Sequence, residues 1–92
     1  MFITPDRREL KILGQTIDII IDDEFCDKES ADGLYQGHQI ILRSRYESHS
    51  EYQRILRHEA FHALCDLLGC QLDHHLEETL AHRVSYMFTY EV

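Results

Sequence analysis

Apolar residues in the first third of the chain recur at every second position, which is typical of strands with one buried face. Gly14 separates two such runs and predicts a hairpin turn between them. Residues 25–33 carry no such period and are expected to form a loop. A further β segment is expected over residues 34–43, with a turn at Gly37 and His38. The alternating apolar positions are Leu10, Ile12, Ile17, Ile19 and Ile21.

In the second half of the chain the apolar spacing changes to three and four, which predicts two helices. Ser48 and Ser50 each stand three residues before a Glu or a Gln, so both fit the capping box that opens a helix. The first helix is expected over residues 50–68, with Gly69 as its left-handed cap. The second is expected over residues 75–90. Its apolar stripe consists of Leu76, Leu80, Val84, Met87 and Phe88.

This order of elements predicts an α+β fold, with a small antiparallel β-sheet followed by two helices. Ninety-two residues leave room for one core, so residues 1–92 are expected to form a single domain. The hydrophobic share of 43% is that of an ordinary folded protein. A domain this small buries a modest part of its apolar surface, so a bound metal ion would add noticeably to its stability.

The charge balance argues against one class of partner. The chain has 17 acidic and 9 basic residues, with a formal net charge of −8. Because nucleic-acid binding relies on clustered Lys and Arg, no nucleic-acid partner is expected. The N-terminus lacks the apolar stretch of a signal peptide, and no apolar run is long enough to span a membrane. Together with an odd count of three cysteines, these features predict a cytoplasmic protein without a membrane partner.

The segment His58-Glu59-Ala60-Phe61-His62 lies inside the first predicted helix. Residues four apart share a helix face, so one metal ion can contact both His58 and His62. Zinc accepts neutral imidazole, and a catalytic zinc site needs three protein ligands and one open position. Glu59 can reach the solvent at that position, where a carboxylate serves as the general base. The motif therefore predicts hydrolysis by a metal-activated water.

The third ligand is expected from the second helix, where Glu77 and Glu78 both lie at a suitable distance. Glu78 is preferred because it lies near Ala81, whose small side chain lets the two helices approach closely. Glu77 is expected to point elsewhere, into solvent. His82, one turn after Glu78, is expected to orient the Glu78 carboxylate. Cys65 remains an alternative third ligand, because its thiol lies on the same helix stripe as the two motif histidines.

The pattern His58-Glu59-x-x-His62, followed by Glu78 and Ala81, resembles that of the gluzincin metallopeptidases. More narrowly, it resembles the small phage- and prophage-type zincin-like proteins related to the ImmA/IrrE metallopeptidases, over most of the chain. The resemblance implies a zinc endopeptidase fold, with a peptide or protein substrate lying along the edge strand that precedes the motif helix. It also implies His58, His62 and Glu78 as zinc ligands and Glu59 as the general base.

Two functions from different classes follow from these residues. The favoured one is a zinc-dependent metallopeptidase that hydrolyses peptide bonds, with Glu59 as general base. The alternative is a catalytically silent zincin-fold binding module, in which zinc joins the two helices in a structural role. His38 is expected to be a solvent-facing turn residue in both cases.

Overall fold

The computed structural model describes residues 1–69 and 73–87, with side chains up to residue 83. Within these ranges the chain forms a small α+β domain in which strands precede the two long helices, as expected. The elements are β1 (Phe2–Ile3), β2 (Glu9–Ile12), β3 (Gln15–Ile21), α1 (Asp23–Lys28), β4 (Gly33–Gln36), β5 (Gln39–Leu42), β6 (Arg45–Tyr46), α2 (His49–Leu68) and α3 (His74–Met87).

The main sheet has four strands in the order β2-β3-β5-β4, and β1 pairs separately with β6. The β2–β3 and β4–β5 hairpins are antiparallel, whereas the central strands β3 and β5 run parallel, with Ile19 opposite Ile40. The expectation of an antiparallel sheet is therefore wrong at its centre. Parallel strands need a crossover connection, and here the segment containing α1 and β4 supplies it.

Helix α1 extends to Lys28 and so covers the start of the segment 25–33, which lacks a helical period and is expected to be a loop. The Asp22 carboxylate accepts a hydrogen bond of 3.0 Å from the Phe25 N–H, which caps the helix at its start. Six residues are too few for an apolar period to show in the sequence, which is why the loop prediction is wrong there.

One face of the main sheet packs against α2 and forms the core. The alternation predicted in the first strands is confirmed at Leu10, Ile17 and Ile19, which are buried. Ile12 is partly buried, and Ile21 at the end of β3 is 38% exposed. The buried cluster consists of Leu10, Ile17, Ile19, Ile40, Leu42, Tyr46, Tyr52, Ile55, Leu56, Ala60 and Ala63.

Both ends of α2 are capped by residues that the sequence singles out. The Ser48 hydroxyl accepts a hydrogen bond of 3.1 Å from the Glu51 N–H, so Ser48, and not Ser50, is the N-cap. Gly69 has a φ of 68° and donates its N–H to the Asp66 carbonyl at 3.1 Å, as a left-handed cap does. The motif residues therefore lie well inside a stable helix.

Helix α3 begins one residue earlier than expected, because the Asp73 carboxylate accepts a hydrogen bond of 3.0 Å from the Leu76 N–H. Leu76, expected on the buried stripe, is 43% exposed, whereas Ala81 is fully buried. The face turned toward α2 therefore runs through Ala81. The side chains of Val84, Met87 and Phe88, and the expected helix end at residue 90, lie outside the described residues.

Gly33 brings the edge strand β4 close to α2. A Cβ atom there would lie 2.7 Å from Ile55 Cγ2 and 3.4 Å from Glu59 Cγ, so only glycine allows this approach. In the sequence, Gly33 is only the last residue of the loop expected over residues 25–33, and nothing there indicates this packing role. Among the described residues, no helix has the length and apolar character needed to cross a membrane.

Candidate metal centre

The two motif histidines lie one turn apart on α2 and face α3. Their ring centroids are 5.0 Å apart with an edge-on geometry. The side chain of His58 is 19% exposed and that of His62 is 13% exposed. Both imidazoles are therefore largely withdrawn from water, while one edge of each remains accessible from a cleft.

Glu78 on α3 brings its carboxylate to both rings, as expected. Its Oε1 lies 2.9 Å from His62 Nε2, and its Oε2 lies 3.4 Å from His58 Nε2. Ligands at 2.0–2.1 Å from a tetrahedral zinc ion lie roughly 3.3 Å from one another, so these separations need little change to accept an ion. The group His58, His62 and Glu78, with ligand atoms within 4.8 Å of one another, could hold a metal ion.

Cys65 does not belong to this group. Within the described residues, the side chains that converge on a common point are the two histidines and Glu78. Cys65 is instead buried, at 5% exposure, on α2. The alternative of a His-His-Cys site is therefore not supported by the geometry. Of the other two cysteines, Cys26 is buried and free, and Cys70 lies outside the described residues.

Glu77 contacts the centre, contrary to the expectation that it points into solvent. Its Oε2 lies 2.5 Å from Nδ1 of His62, and its side chain is only 26% exposed. The physical reason is that Glu77 lies one turn before the buried Ala81, and therefore on the face that packs against α2. The expectation relied on a stripe through Leu76, which is exposed. The small residue at position 81 is the signal that identifies this face.

The two glutamates contact opposite nitrogens of the His62 ring. A neutral imidazole carries one N–H, and a carboxylate at Nδ1 accepts a hydrogen bond from that N–H. With Glu77 at Nδ1, the Nε2 lone pair faces Glu78 and the point where an ion would lie. A carboxylate behind a ligating histidine fixes its tautomer and raises its basicity, a common arrangement in metal sites.

Glu59 is buried beside the two histidines, with 7% exposure. Burial raises the pKa of Glu59 from 4.5 to about 7, and the negative charge of Glu78 acts in the same direction. The neighbouring His62 and a hydrogen bond from the Tyr35 backbone oppose this rise. A carboxylate with a pKa near 7 exchanges protons readily at neutral pH, as a general base must.

His58 has its pKa lowered, first by burial and then by the neighbouring His62, although Glu78 acts in the opposite direction. A lowered pKa keeps the imidazole neutral at neutral pH. Neutral imidazole is the form that binds metal ions. The burial of His58 therefore favours the protonation state that a ligand needs.

A cavity of ≈ 380 Å³ gives access to these groups. One wall is the edge strand β4 and the other is the first turn of α3. Tyr35 of β4 was not singled out in the sequence, because alternation predicts a strand without showing which residue will face the helix. The cavity is lined by Gly33, Leu34, Tyr35, His58, Glu59, His62, His74, Glu77 and Glu78.

The sequence also predicts the surroundings of two further histidines, His38 and His82. His38 lies in the predicted turn with a φ of 63°, and its side chain is 65% exposed, so the solvent-facing assignment is confirmed. His82 lines a second cavity together with Glu78 and Arg83. Its charge also lowers the pKa of His58. That His82 orients the Glu78 carboxylate stays a prediction.

No protein-family model, no curated protein and no solved structure matches this chain.

Proposed function

We propose that this protein is a zinc metallopeptidase of the zincin type that hydrolyses peptide bonds. The observation that carries the proposal is the convergence of His58, His62 and Glu78 on one point, with Glu59 buried beside them. The order of a small sheet, a motif helix and a second helix that returns to the motif also supports it. The proposal is also supported by the resemblance of the motif to those of the gluzincins and the ImmA/IrrE metallopeptidases.

The donor set favours zinc over other common ions. Two imidazole nitrogens and one carboxylate oxygen suit a four-coordinate zinc ion, whereas magnesium and calcium prefer sites built from oxygen. The Glu77 carboxylate at His62 Nδ1 completes a carboxylate–histidine pair that supports such a ligand. When bound, zinc supplies Lewis-acid polarisation of a carbonyl and acidification of water.

Glu59 supplies the acid–base chemistry in this proposal. It takes a proton from the attacking water and later delivers that proton to the leaving amine. Its burial makes the carboxylate less acidic than usual, with a pKa of about 7, so both protonation states are accessible near neutral pH. Gly33 packs against this side chain at the cleft wall, where a Cβ atom on residue 33 would lie 3.4 Å from Glu59 Cγ.

The edge strand β4 is the proposed docking site for an extended peptide. It pairs with β5 on one side, and no described strand pairs with its other side. Gln36 lies opposite Gln39, and this pair closes a two-residue turn. Because hydrogen-bonded pairs alternate with non-hydrogen-bonded pairs along an antiparallel ladder, the backbone N–H and C=O groups of Gly33 and Tyr35 face the free edge of β4. A peptide added as a strand would cross the cavity that contains the two histidines.

The test combines elemental analysis with digestion of an unbiased peptide library. Protein purified without chelators is expected to contain about one zinc ion per chain and to cleave peptides. Glu59→Gln is expected to retain zinc and lose cleavage, whereas Glu78→Ala loses both. Glu9→Gln, an exposed change on β2, is the matched control and should behave as the parent. A parent protein that holds zinc but cleaves no peptide overturns the proposal.

A second candidate is the silent binding module, with the ion as a structural link. It is favoured by one observation: the ligands come from two helices, and Glu78 of α3 reaches both histidines of α2. In that case a chelator would lower the melting temperature strongly while no peptide is cleaved under any condition. The same digestion experiment therefore separates the two candidates.

A further inference from the structure

Tyr35 lies against the motif helix beside His62. Its phenol donates a hydrogen bond of 2.6 Å to Oδ2 of Asp66, which lies one turn after that histidine. Tyr35 also lines the cavity together with Glu59, and a Cβ atom at Gly33, two residues earlier on β4, would lie 3.4 Å from Glu59 Cγ. The edge strand therefore approaches α2 on both sides of His62.

The tip of the β4–β5 hairpin is joined to the same carboxylate. Nε2 of His38 lies 3.6 Å from Oδ2 of Asp66, the oxygen that accepts the hydrogen bond from the Tyr35 phenol. Gly37 and His38 both adopt left-handed φ values, of 53° and 63°, as a tight two-residue turn requires. Burial, and then the bond to Asp66, raises the pKa of Tyr35 to about 12, so the phenol stays protonated and donates at neutral pH.

The other end of β4 is held differently. Gly33 packs directly against Ile55 and Glu59, and this contact does not depend on any hydrogen bond. Between Gly33 and the hairpin tip, β4 is joined to α2 by the hydrogen bond that the Tyr35 phenol donates to Asp66. Removing one hydroxyl therefore frees the tip end of the strand without changing the packing at its start.

We propose that Tyr35 is a positioning residue, and this inference rests on the proposed peptidase function. The bond between its phenol and Asp66 sets the distance between β4 and α2, beside the cavity that Tyr35 and Glu59 both line. The same distance sets where the outward-facing backbone of β4 presents itself to a substrate strand. Tyr35 thus aligns the general base and the peptide with each other through the position of its strand.

Tyr35→Phe tests this directly, because it removes the hydroxyl and keeps the ring. The expected result is a fall in kcat/KM of at least about tenfold, with zinc content and melting temperature close to those of the parent. Tyr52→Phe is the matched control. It removes a phenol from a ring that is buried on α2, 5.0 Å from the Phe2 ring, at the helix end remote from the cavity. It should cleave peptides as fast as the parent.

Variants of Asp66 separate positioning from a general loss of stability. Asp66→Asn keeps an oxygen that accepts the phenol's hydrogen bond and should retain most activity. Asp66→Ala removes that acceptor and also the His38 contact, so it should lose at least as much activity as Tyr35→Phe. The double variant Tyr35→Phe/Asp66→Ala should cost no more than Asp66→Ala alone, since the phenol and the carboxylate form one contact. Equal kcat/KM in the parent and in Tyr35→Phe, or losses that add in the double variant, overturns the inference.

Amide hydrogen exchange on the zinc-loaded protein makes the result independent of activity. The amide of Gln36, which lies opposite Gln39 beside the hairpin tip, is expected to exchange at least about tenfold faster in Tyr35→Phe than in the parent, and at the parental rate in Tyr52→Phe. If no variant cleaves any peptide, the proposed function fails, and the exchange rate still decides whether the phenol holds β4. Unchanged exchange of that amide in Tyr35→Phe overturns the positioning role.

Discussion

The two packed surfaces of α2 differ in the chemistry that holds them. Toward the sheet, the helix presents apolar side chains such as Ile55 and Leu56, which are buried in a continuous core. Toward α3, it presents His58 and His62, which meet two glutamates around a cavity. The first surface gains its stability from removing apolar area from water. The second depends on paired polar groups, and its stability therefore responds to protons and to a bound metal ion.

The largest expected effect is on the apolar surface. Leu56→Ala removes a fully buried side chain and is expected to lower the free energy of unfolding by about 2–5 kcal/mol, because a cavity remains. Leu68→Ala, at a leucine that is 58% exposed on the same helix, should cost less than about 0.5 kcal/mol. Urea unfolding with and without zinc measures both. If the Leu56→Ala loss disappears when zinc is present, the two surfaces are not independent.

The second prediction concerns the pH dependence of the metal-free protein. The pKa of Glu59 is raised from 4.5 to about 7, so the folded state keeps a proton that the unfolded state has already lost. The free energy of unfolding contributed by Glu59 should therefore fall as the pH rises from 4.5 to 7, by about 3 kcal/mol in all at roughly 1.4 kcal/mol per pKa unit.

His58 acts in the opposite direction, because burial lowers its pKa and stability therefore rises with pH up to its ordinary value of 6.5. The measurement is accordingly a difference: urea unfolding of the parent minus that of Glu59→Gln, at several pH values with chelator present. A difference that stays constant across this range would show that Glu59 has an ordinary pKa.

The third prediction is smaller and specific to the polar surface. Glu77→Gln removes the charge behind His62 and is expected to weaken zinc binding by about 10–100-fold, while the fold without metal is retained. Competition with a chromogenic chelator measures this affinity. Glu51→Gln, near the start of the same helix α2, is the charge-matched control and should bind zinc as the parent does. If Glu77→Gln binds zinc as tightly as the parent, the contact between Glu77 and Nδ1 of His62 is only an ion pair that does not support the metal site.

The smallest effect is expected at the start of α2, which both surfaces share. Ser48→Ala removes the hydroxyl that accepts the Glu51 N–H and should cost about 1 kcal/mol of stability. Ser50→Ala, inside the helix, should cost almost nothing. Both variants should bind zinc normally, because the cap lies more than two turns from His58. Thermal unfolding compares them, and equal melting temperatures would contradict the assignment of Ser48 as the cap.

Much of α2 and of the motif it carries could be predicted from the sequence. The capping pattern at Ser48, the cap at Gly69 and the shared face of His58 and His62 all depend on residues within a few positions of one another. Helical geometry converts such spacings directly into positions in space. The preference for Glu78 over Glu77 also comes from the sequence, since Glu78 lies near Ala81, whose small side chain lets the two helices approach closely.

The role of Glu77, the approach of Gly33 and Tyr35 to α2, and the parallel pairing of β3 with β5 were decided by the tertiary structure. Each depends on how elements distant in sequence pack together, and the apolar stripe of α3 does not show which face is buried, since Leu76 of that stripe is exposed. The rotation of α3 about its axis follows from the fit of Ala81 against α2, and that rotation places Glu77 behind His62.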